Sequence, residues 1–138
     1  MSKPLVVFIV DDDVDDTEMF CEVISNMNNS IKCTAASNSR EALQLLENEH
    51  VLPDFLFLDL NMPGMNGKQL LEQLKQNKKL ASIPVIIYST SKLEADKEET
   101  RRLGACYFLS KPNSMQQLKK DLEFVFNKKY EQNQPIIT

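Results

Sequence analysis

The chain has 138 residues, 42% hydrophobic and 26% charged; at about 100 to 200 residues per domain this is one globular unit with its own core and no room for a second folded module. Its 16 basic and 20 acidic residues give a formal net charge of −4, which excludes the basic footprint of a nucleic-acid or anionic-membrane binder and leaves proteins, small molecules or cations as partners. No run approaches the roughly 20 apolar residues of a membrane span and the N-terminus lacks the pattern of a cleavable signal, so the chain reads as cytoplasmic.

Residues 5–10 are an unbroken, largely β-branched run, the pattern of a strand buried on both faces. Over 17–27 the apolar Met19, Phe20, Val23, Ile24 and Met27 recur at helical spacing. The alternation then continues. Strands are predicted over 31–35, 54–58, 85–88 and 106–109, and helices over 38–49, 68–76, 94–103 and 114–126. Asn38 followed by Glu41 has the spacing of a capping box, with Asn in place of Ser or Thr. Five strands alternating with five helices predict an α/β fold: a doubly wound parallel sheet, helices on both faces, joined by right-handed crossovers. Residues 131–138 read as a flexible polar tail. Cys21, Cys33 and Cys106 are odd in number and separated in sequence, which fits reduced thiols rather than disulfides or a metal cluster. His50, the only histidine, lies at the polar end of an amphipathic stretch and supports neither a histidine-rich zinc site nor a Ser-His-Asp triad.

In a parallel sheet the ligand site lies beyond the carboxyl ends of the strands, so the residues just after each strand are the ones to read. The first strand is followed by Asp11, Asp12 and Asp13, the third by Asp59, the fourth by Ser89, Thr90 and Ser91, and the fifth by Lys111 and Pro112. The three carboxylates of Asp11, Asp12 and Asp59, the Ser89 hydroxyl and the Lys111 ammonium therefore converge on one edge. Crowded carboxylates repel, and a hard divalent cation with oxygen ligands relieves this, with Mg²⁺ the expected ion. The cation and Lys111 would supply positive charge around a phosphoryl group, Ser89 a hydrogen bond to its oxygens, and a carboxylate a nucleophile able to form an acyl phosphate.

The strand-terminal acidic pair, Asp59 with the Met62-Pro63-Gly64 loop, Ser89 and Lys111-Pro112, in this order and βα context, resemble the receiver domain of bacterial two-component response regulators, of the stand-alone chemotaxis type. The resemblance covers roughly residues 5–126. It implies a flavodoxin-like sheet of strand order 2-1-3-4-5 and a single receiver domain over 1–130 with no output domain. It implies that Asp59 is the phosphoacceptor and that Asp11, Asp12, Asp59 and the backbone carbonyl of Asn61 hold Mg²⁺, Asp11 through water. It further implies that Ser89 and Lys111 engage the phosphoryl group, that Ser89 and Phe108 are the switch residues, and that Lys111-Pro112 is a cis peptide. The implied donor is a sensor histidine kinase or phosphotransfer protein, and the implied output is binding to a downstream protein target. A receiver of this kind is a signalling domain, not an enzyme, and catalyses only its own phosphorylation and dephosphorylation.

Some positions depart from the family pattern. Ser89 stands where Thr is commoner, Asn66 replaces an Asp before the loop glycine as a helix cap, and Asn113 follows Lys-Pro as a candidate cap of the last helix. Thr90 is expected on the face opposite Ser89, and Asp15 and Asp16 read as solvated acids suited to a helix N-terminus. Two other function classes fit the acidic segment less well. Asp11, Asp13, Asp15 and Glu22 fall at the ligand positions of a calcium-binding loop, but its sixth residue is Asp16 where Gly is needed, and a β-branched run precedes it where a helix is needed. Residues 13–17 match the D-x-D-x-T motif of haloacid-dehalogenase-type phosphatases, but Asp11 and Asp12 intervene between strand and motif, and the only later acids, Asp121, Glu123 and Glu131, fall on a helix or tail.

Overall fold

The structure, a computed structural model, describes residues 5–28, 30–49 and 51–128; the expectations for His50 and for the tail 131–138 fall outside them. Five strands, β1 Val6–Val10, β2 Lys32–Ala36, β3 Phe55–Leu58, β4 Val85–Ser89 and β5 Tyr107–Ser110, alternate with α1 Val14–Met27, α2 Ser39–Asn48, α3 Gly67–Gln76, α4 Glu94–Arg102 and α5 Met115–Asn127. All pairings are parallel and the sheet order is β2-β1-β3-β4-β5, the doubly wound flavodoxin-like arrangement. No helix among the described residues is long and apolar enough to cross a membrane.

The strands are continuously apolar because successive side chains enter different cores. Val7, Ile9, Phe57, Ile86, Tyr88 and Leu109 pack with Phe20, Val23 and Ile24 of α1 and with Leu118, Leu122 and Val125 of α5. Phe8, Val10, Leu56, Leu58, Ile87 and Phe108 pack on the other face with Ala42 and Leu46 of α2 and Leu70, Leu71 and Leu74 of α3. At about 1.5 to 3 kcal/mol for each large side chain fully buried, these two layers hold the sheet. Helix α4 differs. Thr100 is its one buried residue among those described, and its N-cap, Leu93, offers no side-chain hydrogen bond.

The backbone ladder runs past the strands and fixes the site. Asp11 N–H donates to Ala36 O (3.1 Å), Asp59 N–H to Val10 O (3.0 Å) and Lys111 N–H to Ser89 O (3.0 Å). The loop after β3 closes through Gly67 N–H to Leu60 O (3.0 Å), and helix α3 begins so close to the strand that a Cβ on Gly67 would lie 2.2 Å from Asp59 O and 2.7 Å from Leu60 Cα. Asn66 caps α3 in a reciprocal capping box with Gln69.

Several local expectations are corrected. Helix α1 starts at Val14, three residues early, because Asp13 caps it by accepting from Asp16 N–H (3.2 Å). Only half of the Asn38 box forms: Asn38 accepts from Glu41 N–H, whereas the Glu41 carboxylate accepts from Ser37 N–H. The cap of α5 is Ser114, not Asn113. No peptide bond among the described residues is cis, so Lys111-Pro112 is trans. Trans is the lower form of an X–Pro bond by about 0.5 to 1 kcal/mol, and Lys111 meets Asp11 and Asp16 from it.

Candidate functional site

Asp11, Asp12, Asp59, Ser89 and Lys111 all fall at the carboxyl edge of the sheet. One carboxylate oxygen from each of Asp11, Asp12 and Asp59 lies within 4.8 Å of the other two. Asp11 and Asp59 are 1% and 6% exposed, whereas Asp12 is open to solvent. The Lys111 ammonium lies 2.8 Å from Asp11 Oδ2, 2.7 Å from Asp16 Oδ2 and 3.9 Å from Asp59 Oδ1. Burial opposes the charge on Lys111, but its ion pair with Asp11 and its hydrogen bond to Asp16 outweigh it and hold its pKa above the ordinary lysine value. The ring of Tyr88 lies beneath, its centroid 5.6 Å from Nζ.

Asp59 is the perturbed acid. Burial, then the neighbouring Asp11 charge and to a smaller extent Asp12, push its pKa up to about 6, against the opposing pull of Lys111 and of a hydrogen bond from the Asn61 backbone. It is therefore mostly ionised near neutral pH, and it stands next to two further carboxylates and one ammonium. An all-oxygen, multiply acidic donor set suits a hard divalent cation such as Mg²⁺ or Mn²⁺ and does not suit a thiophilic metal. Asp12, Asn61, Asn66, Lys68 and Asp96 line the open cleft beside it, about 530 Å³ in volume.

Ser89 is fully buried; its Oγ accepts from Ser91 N–H (3.1 Å), while Thr90 is exposed. Ser91 Oγ in turn donates to Asp96 Oδ2, whose other oxygen meets Lys68 Nζ at 2.7 Å, and Lys68 also pairs with Glu99 at 2.5 Å. These links tie the β4–α4 loop and α4 to α3. Phe108 is 8% exposed and packs in the core, with the Lys97 ammonium 5.9 Å from its ring centroid. Its ring is buried in the unmodified protein.

Sequence reasoning missed two participants. Asp16, expected as a solvated acid, is a direct partner of Lys111, and the signal for it was the N-cap at Asp13, which puts Asp16 in the first turn of α1. The Lys68–Asp96–Ser91 relay joins residues far apart in the chain and carries no local pattern.

Residues 7–123 match the response regulator receiver domain family. The chain is 34% identical over 119 residues to Protein PilH of Pseudomonas aeruginosa, covering 86% of this chain and 95% of that protein. Among solved structures it is similar to the phosphorylated cyanobacterial phytochrome response regulator RcpA, with a TM-score of 0.79 at 26% identity over 88% of this chain and 90% of that one. It is similar also to the Mn²⁺-bound response regulator Rcp1, with a TM-score of 0.77 at 26% identity over 88% and 91% of the two chains. With a strand-end acidic pocket facing a charged lysine on this sheet order, the chain belongs to the response regulator receiver domains, the phosphoacceptor switches of two-component signalling.

Proposed function

We propose that this chain, acting in the cytoplasm as one receiver unit over 1–130, accepts a phosphoryl group on Asp59 from a sensor histidine kinase or phosphotransfer protein. In this reading Mg²⁺ is held by Asp11, Asp12, Asp59 and the backbone carbonyl of Asn61, and the modified surface is read by a downstream protein target. The observation that carries it is the buried Asp59 carboxylate, 3.9 Å from the Lys111 ammonium and within 4.8 Å of two further carboxylates. The chain turns over no free substrate in this reading; it catalyses only its own phosphorylation and dephosphorylation.

Asp59 Oδ attacks the phosphorus of a phosphohistidine, the P–N bond breaks, the imidazole leaves, and an acyl phosphate remains. When bound, Mg²⁺ would supply positive charge to the transferred phosphoryl oxygens. The Lys111 ammonium, now shared by Asp11 and Asp16, has a new anion to pair with. Ser89 turns its hydroxyl toward that anion and gives up the Ser91 N–H that it accepts from in the unmodified protein. The change passes from Ser91 to Asp96 and so to α4, the helix with the fewest buried residues, and through the Asp96–Lys68 pair on to α3. Incubation with acetyl phosphate and Mg²⁺ tests the reading by intact mass spectrometry: one phosphoryl group on wild type, none on Asp59→Asn, none in chelator. An unchanged wild-type mass, or full labelling of Asp59→Asn elsewhere, removes Asp59 as the nucleophile.

A further inference from the structure

We propose that Cys21 and Cys33 form a reversible oxidation site, in which a peroxide-class oxidant converts the two thiols into an intramolecular disulfide joining α1 to β2. Cys21 lies in the middle of α1 and Cys33 in β2, where it pairs in register with Val7 of β1. Their Sγ atoms are 2.8 Å apart, only about 0.8 Å beyond a disulfide bond length, so a small side-chain movement closes the gap. Neither sulfur sits on a free loop. Both side chains pack at the margin of the α1/α5 core and both remain half-buried, within reach of a small oxidant, whereas Cys106 is buried.

The pair is also chemically asymmetric. Either thiol can donate in the contact between them; with Cys33 donating, the Cys21 thiolate is favoured and its pKa lowered, while the same bond and burial raise that of Cys33. Cys21 is therefore the attacking sulfur and Cys33 the resolving one. The Cys21 thiolate attacks a peroxide oxygen, the O–O bond breaks, and the departing hydroxide takes a proton and leaves as water, with a sulfenic acid at Cys21. The Cys33 sulfur then displaces that hydroxyl, its own proton leaving with it as a second water. Two electrons pass from the two thiols to one hydrogen peroxide, and a dithiol reductant reverses the bond by exchange. Reduced thiols in the resting protein and a transient link under oxidant are what an intracellular dithiol of this kind requires. The link would not be remote from the acidic pocket. Asp11 N–H donates to Ala36 O at the end of β2, and α1 begins at Val14, so the two elements joined are the two that brace the Asp11–Asp13 loop.

The test treats the whole native chain with dilute hydrogen peroxide, alkylates remaining thiols and maps peptides by mass. A loss of two hydrogens, a Cys21–Cys33 linked peptide, Cys106 alone alkylated and full reversal by dithiothreitol are expected. The link should form at least about tenfold faster in the folded protein than in urea, because the fold holds the sulfurs adjacent. In Cys33→Ser, dimedone should trap a sulfenic acid at Cys21. Three free thiols after treatment, links only between chains, equal rates in urea, or trapping at Cys106 alone would each overturn the proposal.

Discussion

The Lys111 ammonium stands more than 1 Å closer to Asp11 than to Asp59, at 2.8 Å against 3.9 Å. The lysine thus serves first to neutralise a buried acid. Asp11 is 1% exposed, and the ammonium is the partner of its Oδ2. Removing one member of a buried pair leaves the other uncompensated, which costs about 3 kcal/mol.

Lys111→Ala should accordingly lower the stability of the metal-free protein by about 3 kcal/mol, and saturating Mg²⁺ should restore more stability to the variant than it adds to wild type, since the ion then meets an acid cluster with no competing ammonium. Chemical denaturation with and without Mg²⁺ measures both. Equal stability of variant and wild type in chelator would show that Asp11 does not depend on the lysine.

The raised pKa of Asp59 sets a pH dependence whose sign is opposite to that of ordinary paired carboxylates. The folded protein favours the neutral acid, so the contribution of Asp59 to stability is complete below its unfolded value near 4 and is lost as pH rises through about 6. A shift from 3.8 to about 6 corresponds to at most about 3 kcal/mol. Asp59→Asn should remove this loss, making the metal-free variant more stable than wild type at pH 8 and nearly equal to it at pH 4. Asp12→Asn should gain less, because Asp12 is exposed and raises the Asp59 pKa less than burial or Asp11 does. Denaturation curves of the three proteins across this range decide it; a wild type that outlasts Asp59→Asn at pH 8 contradicts the repulsion.

The sheet and the acid pocket were legible because they follow from one-dimensional rules. A run such as residues 5–10 is continuously apolar only when both faces are covered, and Asp11 and Asp59 are conspicuous as charges directly after such runs. What stayed hidden depends on through-space relations. Asp16 looked like a helix-terminus acid, and only the start of α1 at Val14 turns it toward Lys111. Cys21 and Cys33 are 12 positions apart and meet because α1 packs back beside β2. The geometry of Lys111-Pro112 and the burial of Phe108 are likewise set by packing, since a proline after a lysine is compatible with either isomer and a buried aromatic is core by default.

Two glycines separate backbone strain from steric closure. Gly64 has φ of 75° and open space around its Cβ position, so Gly64→Ala should cost about 1 kcal/mol, the penalty of the left-handed conformation. A Cβ on Gly67 meets Asp59 O and Leu60 Cα, backbone atoms that cannot turn aside, so α3 must move off the end of β3. Gly67→Ala should therefore cost about 3 kcal/mol and, by shifting the Asp59 backbone, slow labelling by acetyl phosphate. Similar melting temperatures and labelling rates for the two variants would mean that the close approach does not hold the site.

Helix α4 buries only Thr100 and lacks a side-chain N-cap, so its attachment rests on Lys68, which bridges Asp96 and Glu99 from α3, and on Ser91, which donates to Asp96. Exposed and half-exposed ion pairs contribute under about 1 kcal/mol to global stability, and loss of one should barely change the melting temperature. Local opening is a different quantity, since it needs only the contacts of one element to break. Lys68→Ala should therefore leave the melting temperature within about 2 °C of wild type while speeding amide exchange in Glu94–Arg102 by about three- to fivefold, the factor that a loss of under 1 kcal/mol gives when it falls on one helix. Arg101→Ala serves as the control, because Arg101 pairs with Glu98 inside α4 and makes no tie to α3. Hydrogen exchange read by mass spectrometry on both variants separates the two cases. Equal acceleration in both would assign the effect to helix propensity, and no acceleration in Lys68→Ala would show that α4 is held by something other than the Lys68–Asp96–Ser91 relay.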